Sequence, residues 1–167
     1  METNNNSYNW DAVKFFEELT AKNKLAQSEH FSFHPASGLE GFYDALNVMQ
    51  DKVNFVCVSD ISQGYTELST SPKTRRVKTV FLAMRHAVDN EQARQECMDT
   101  MRELFRQFMS ALFREKTAIE QGLIALDTRV NFNEIDRYIF SGCACAFFQI
   151  ATETRTDLRY NNEEWTM

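Results

Sequence analysis

Apolar residues recur along this chain at two periods, and the switches between them outline its elements. Trp10, Val13, Phe16 and Leu19 stand three residues apart with Phe15 beside them, the spacing of one helix face. This predicts an amphipathic helix over 10–24, with Asn9 as its cap and Asp11 in its first turn. In residues 25–38, Phe31 and Phe33 alternate with polar neighbours before Pro35 and Gly38, which fits a short edge strand or an ordered loop. Leu39, Phe42, Leu46 and Met49 predict a second helix over 39–50, weakened by Gly41.

The period then drops to two. Val53–Val58 is predicted as a strand that residues 59–70 extend through Ile61, Tyr65 and Leu68. Ser69–Thr74 is a polar loop. Val77–Ala87 is a strand apolar on both faces, hence a central one paired antiparallel with the first. Ala93, Cys97, Met101, Leu104, Phe108 and Leu112 restore the helical period without Pro or Gly, predicting a helix over 89–118. Asp89 and Gln92 stand at capping-box spacing before it. Residues 129–140 read as an irregular strand bulged near Asn133, Ser141-Gly142 as a turn, and Cys143–Thr154 as a long strand.

The order helix, helix, strand, strand, long helix, strand, strand predicts an α+β fold. Its sheet is expected to be antiparallel and mostly four-stranded, packed by one long helix and the N-terminal helices. Residues 1–8 read as a flexible N-terminal tail, 9–156 as a single domain and 157–167 as a polar C-terminal tail.

Composition sharpens this picture. Of 167 residues 43% are apolar and 14 are Phe, which is core-forming rather than disordered material. A domain of this size buries about two-thirds of its unfolded surface, so it needs no disulfide or metal to fold. The net charge of −6 disfavours sequence-independent binding to nucleic acid. The one basic cluster, Lys73, Arg75, Arg76 and Lys78, reads as a solvated loop and strand end. Met1–Trp10 carries no apolar signal-peptide region, and Cys57, Cys97, Cys143 and Cys145 all lie in apolar patterns. Free, buried thiols in a reducing compartment are therefore expected. No run of 18 or more apolar residues suggests a membrane span.

Candidate chemistry is sparse. Cys143 and Cys145 with His30 and His34 could make a Cys2His2 zinc set only if residues 30–34 were helical, and Pro35 opposes that. There is no G-x-S-x-G, no P-loop and no G-x-G-x-x-G. His86 near Asp89 reads as a solvated strand-end residue, and neither Glu17-Glu18 nor Glu163-Glu164 is placed like an acid/base pair. The expectation is a protein without catalytic, metal-binding or cofactor-binding residues, and hence not an enzyme.

The order of elements resembles the tail terminator, or tail completion, proteins of tailed bacteriophages and prophages. Lys78–His86 (KTVFLAMRH) running into the helix after Asp89 is similar to their strand-to-long-helix junction. Ile139–Gly142 (IFSG), the alternating strand after it, Asp157-x-x-Tyr160 and Trp165 are similar to the C-terminal ends of phage tail proteins. The likeness covers residues 39–167 as a pattern. It implies a structural, head-tail joining protein of the virion, made in the host cytoplasm and assembled as a homo-oligomeric ring, a hexamer, on the tail tube. Its partners would be further copies of itself and tail tube or head-neck proteins, with no sequence-specific nucleic acid and no membrane. The interface expected on that basis comprises Thr66, Glu67, Lys73, Arg75 and Arg76 in the loop, with Tyr160 and Trp165 in the tail. In that family the strand after the turn often carries a large aromatic, whereas Cys143–Ala146 are small here. Another neck or baseplate component is therefore an alternative. So are a cytoplasmic protein–protein adaptor and an enzyme with an unrecognised site.

Overall fold

A computed structural model describes residues 10–36, 54–60, 63–121, 124–135 and 142–166. The helix expected over 39–50, the tail 1–8, Val53 and residues 136–141 lie outside the described residues.

The first helix, α1, is Ala12–Lys22. Its cap is Asp11 rather than Asn9: the Asp11 carboxylate accepts the Lys14 N–H at 3.1 Å, satisfying a first-turn donor. Helix α1 stops at Asn23, whose extended backbone breaks the run, and α2 (Lys24–Ser28) starts anew. Asn23 directs this corner. Its side-chain oxygen accepts the Ala26 N–H at 2.8 Å, and its amide donates to Gln107 across the molecule at 2.8 Å.

Seven strands among the described residues form one sheet. The centre is an antiparallel pair, β4 (Lys73–Arg85) against β7 (Cys143–Arg155), in register over their full length from Lys73↔Arg155 to Arg85↔Cys143. On the outer side of β4 lie β2 (Asn54–Ser59) and β3 (Gln63–Thr66), one at each end. On the outer side of β7 lie β5 (Ile124–Leu126) and β6 (Phe132–Glu134). Finally β1 (Phe31–Ala36) runs parallel to β2 at the margin of the sheet.

The sheet is thus mixed and larger than the antiparallel, mostly four-stranded one expected. The parallel β1–β2 pair is joined through residues 37–53, long enough for the crossover that parallel pairing demands. Beyond the parallel β1, the added strands are β3, split from the expected extension of β2, and β5, each only three or four residues long, while β6 is the short core of the irregular strand expected over 129–140. No bulge interrupts β6, which pairs with β7 in unbroken register through Asn133↔Phe147.

The long helix, α3, is Glu91–Gln121, about 46 Å at 1.5 Å per residue. Asn90 caps it, accepting the Ala93 N–H at 3.0 Å. The expected box is not formed, because Gln92 turns forward to Glu96 instead of back to the cap. Met98, Met101, Leu104, Phe108 and Leu112 are buried along one stripe of α3. They meet Val80, Leu82 and Met84 of β4 and Ala144, Ala146, Phe148 and Ile150 of β7. Small Ala144 and Ala146 let the helix side come close, and Phe148 fills the space further along. Phe16 of α1 completes this core, 5.7 Å from Phe108 and 5.6 Å from Phe148 between ring centres. The opposite face holds a second buried cluster of Phe55, Cys57, Phe81, Ala83, Cys143 and Cys145.

Candidate functional site

At the far end of the β4–β7 ladder the sheet becomes polar. Four strands lie side by side there in the order β3, β4, β7, β5, with Tyr65 opposite Arg75, Arg75 opposite Glu153 and Glu153 opposite Ala125. Among the described residues β3 and β5 each pair on one side only, so both margins present strand edges. All four residues of β3 are exposed.

Gly64 sets how closely β3 approaches. A methyl group at its Cα would stand 1.8 Å from the Arg75 carbonyl oxygen, so no other residue fits without displacing β3. On one face, the Arg75 guanidinium bonds Asp127 at 2.7 Å and Glu153 at 3.3 Å. This trio joins β4, β7 and the turn after β5. The Arg75 bond and then a backbone N–H hold the Asp127 carboxyl below the usual range, while Asp127 above all raises Arg75. On the other face, Thr66 and Thr74 share a hydroxyl bond of 2.9 Å, and Thr74 and Thr156 one of 2.5 Å.

The expected loop is shorter than the sequence suggested, because Thr66 ends β3 and Lys73, Thr74, Arg75 and Arg76 begin β4, and the ladder ties this hairpin to the C-terminal tail. The Thr156 N–H donates to the Pro72 carbonyl at 3.0 Å, and the Glu67 N–H to the Lys73 carbonyl at 2.9 Å. The two regions singled out in the sequence, Thr66–Arg76 and the tail, therefore meet at one end of the molecule. Within the first, Arg75 is engaged in the ion trio and Arg76 reaches Thr154 at 3.4 Å, while Thr66, Glu67 and Lys73 are exposed.

Beyond Thr156 the tail is exposed throughout residues 157–166. A single 3₁₀ turn, Asn162–Glu164, is capped by Asn161 and brings Tyr160 and Trp165 together. Their rings stack with centres 5.9 Å apart and planes 14° from parallel. They remain 72% and 62% exposed, an aromatic pair organised by its own backbone.

Sequence reasoning missed a groove of about 430 Å³ between the C-terminal half of α3 and residues 126–130. Phe105, Met109, Leu112, Phe113, Leu126 and Val130 give it an apolar lining, with Lys116, Asp127 and Thr128 adding polar groups. Phe113 is 78% exposed. The signal was present, since Phe113 falls off the stripe Met101, Leu104, Phe108, Leu112 and so cannot join the core.

The candidate chemistry disperses in three dimensions. His30 sits at a turn with φ of 57° and His34 lies on β1, so they do not share a helical face. Among the described residues no three His, Cys, Asp or Glu gather to hold a metal. The Cys145 thiol donates to the Cys143 sulfur at 3.6 Å; this bond raises Cys145 and lowers Cys143. Burial pushes Cys57 up to about 12. His86 bonds the adjacent Ala87 carbonyl through its ring at 2.9 Å, and its N–H donates to Gly142, whose φ of +68° makes the turn into β7. No helix among the described residues is long and apolar enough to cross a membrane.

Fold and surface together define an α+β protein with one long helix across a mixed sheet and two strand edges beside an aromatic tail. Compared with known proteins, the sequence matches no family model and no curated protein.

Proposed function

We propose that this chain is a non-catalytic structural protein of a phage-like tail, a terminator ring that joins the tail tube to the head or neck. The observation that carries the reading is the polar end of the sheet, where the β3 and β5 edges lie on opposite margins beside an exposed tail. In the four-strand row β3 and β5 run in opposite directions, so a β3 edge could continue a neighbour's β5 edge as an antiparallel pair. Contacts between two different surfaces of like subunits are heterologous, and such contacts close into rings. The net charge of −6 suits a component past which DNA must move without adhering.

In this role the sheet and α3 act as a rigid block, and the chemistry is association. The partners would be further copies in a hexamer and the tube and head-neck proteins at its two faces; the protein would reside in the virion. The test is particle assembly with a chain truncated after Arg155. The reading expects tails that fail to join heads and a large loss of infectivity. Unchanged assembly and infectivity would refute it.

A further inference from the structure

We infer that the stacked Tyr160–Trp165 pair of one copy inserts into the apolar groove between α3 and residues 126–130 of a second copy. This rests on the ring reading and names the contact that holds neighbours together.

Two unsatisfied surfaces motivate it. The tail presents Leu158, Tyr160 and Trp165 to solvent at 45%, 72% and 62% exposure, and no described tail residue lines the groove. Trp and Tyr are the side chains that most often anchor interfaces, because each carries a large apolar area with few torsions to freeze. Stacking and the capped turn fix their relative position beforehand, which lowers the ordering cost of binding. The groove, about 430 Å³ with an apolar lining, falls in the size range that receives a compact aromatic group. Exposed Phe113 at its rim adds a ring for the entering pair to meet.

One charge at the rim favours an orientation. Glu163 and Glu164 directly precede Trp165, so the inserting segment carries two carboxylates beside its anchor. Of the charged groups lining the groove, Lys116 is already paired with Glu120 at 2.6 Å and Asp127 with Arg75 at 2.7 Å, whereas Arg129, exposed between the lining residues Thr128 and Val130, makes no ion pair among the described residues. The two tail carboxylates match the Arg129 guanidinium when Trp165 points inward. Knob and groove are different surfaces of the same chain, so each copy donates one contact and accepts another, which makes the contact heterologous.

The experiment measures native mass against concentration for the full chain, the Tyr160→Ala/Trp165→Ala variant, and Thr128→Glu, an exposed change that places a repelling carboxylate in the groove. Each variant is expected to need at least about tenfold more protein to associate, as loss of an anchor pair implies. An equimolar mixture of the two is expected to regain one contact and give a discrete dimer, since one chain keeps the groove and the other keeps the tail. Association of both variants at the wild-type concentration would overturn the tail-to-groove contact and leave the ring reading standing. A wild-type chain that never associates, even when tail tube is added, would remove the ring reading itself. A monomer whose Trp165 emission is blue-shifted, and red-shifts in Thr128→Glu, would mean that the tail fills its own groove, which also overturns the proposal.

Discussion

Single atoms decide how the polar end of the sheet is built. Gly64 has no Cβ, and one placed there would meet the Arg75 carbonyl at 1.8 Å. Gly64→Ala is therefore expected to peel β3 from β4 while leaving the buried core intact. Amide hydrogen exchange should speed up across residues 63–66 and stay slow in β7. Arg75, Asp127 and Glu153 give a pH signature of defined sign. Because the folded Asp127 carboxyl is held below its usual range, its contribution is fully present above the unfolded value of about 3.9 and is lost as pH falls through the lower folded value. The pair is partly exposed, so Asp127→Asn should cost at most about 1 kcal/mol at pH 7 and almost nothing under strong acid, read from urea midpoints. Thiols report the same environments. Cys57, at about 12, and Cys145 are both raised and buried, so neither is expected to react with a thiol reagent before unfolding; Cys97 is also raised by burial, but it is the one more accessible thiol and is expected to react before those two.

Elements were legible in the sequence in proportion to their length. The apolar stripe predicted α3 within a few residues at each end, and it predicted most of the buried face, because a long helix repeats its signal many times. Strands β4 and β7 were equally visible, with β4 correctly central. Caps were not: Asp11 and Asn90 hold the posts assigned to Asn9 and Asp89, because neighbouring Asx residues are equivalent by type and only backbone geometry chooses between them. Strand β5 was missed because three residues cannot display a period, β6 fell within an expected strand that was drawn too long, and the parallel pairing of β1 leaves no local trace in a segment that fitted an edge strand or a loop. At the site, the sequence pointed to the loop and the tail but not to the Thr66–Thr74–Thr156 ladder that joins them, nor to Asp127 and Glu153, since those partners are distant in the chain. Element-scale stability can be checked at two positions. Asn90→Ala should cost about 1 kcal/mol through the lost cap. Phe108→Ala should cost about 3–5 kcal/mol, because Phe108 is 1% exposed at the meeting of α1, α3 and β7.

The whole molecule combines a well-filled core on the α3 side of the sheet with an end that is left open. Large apolar side chains stay exposed at Phe113, Tyr160 and Trp165, while the strand edges β3 and β5 lie on opposite margins. The proposed association of like subunits through unlike surfaces would account for both features. The most direct test is the native mass of the purified full chain over a wide concentration series, with the particles imaged by negative stain. The account predicts one discrete ring-sized species that forms without intermediate aggregates. A strict monomer at every concentration, unchanged when tail tube is added, would contradict it.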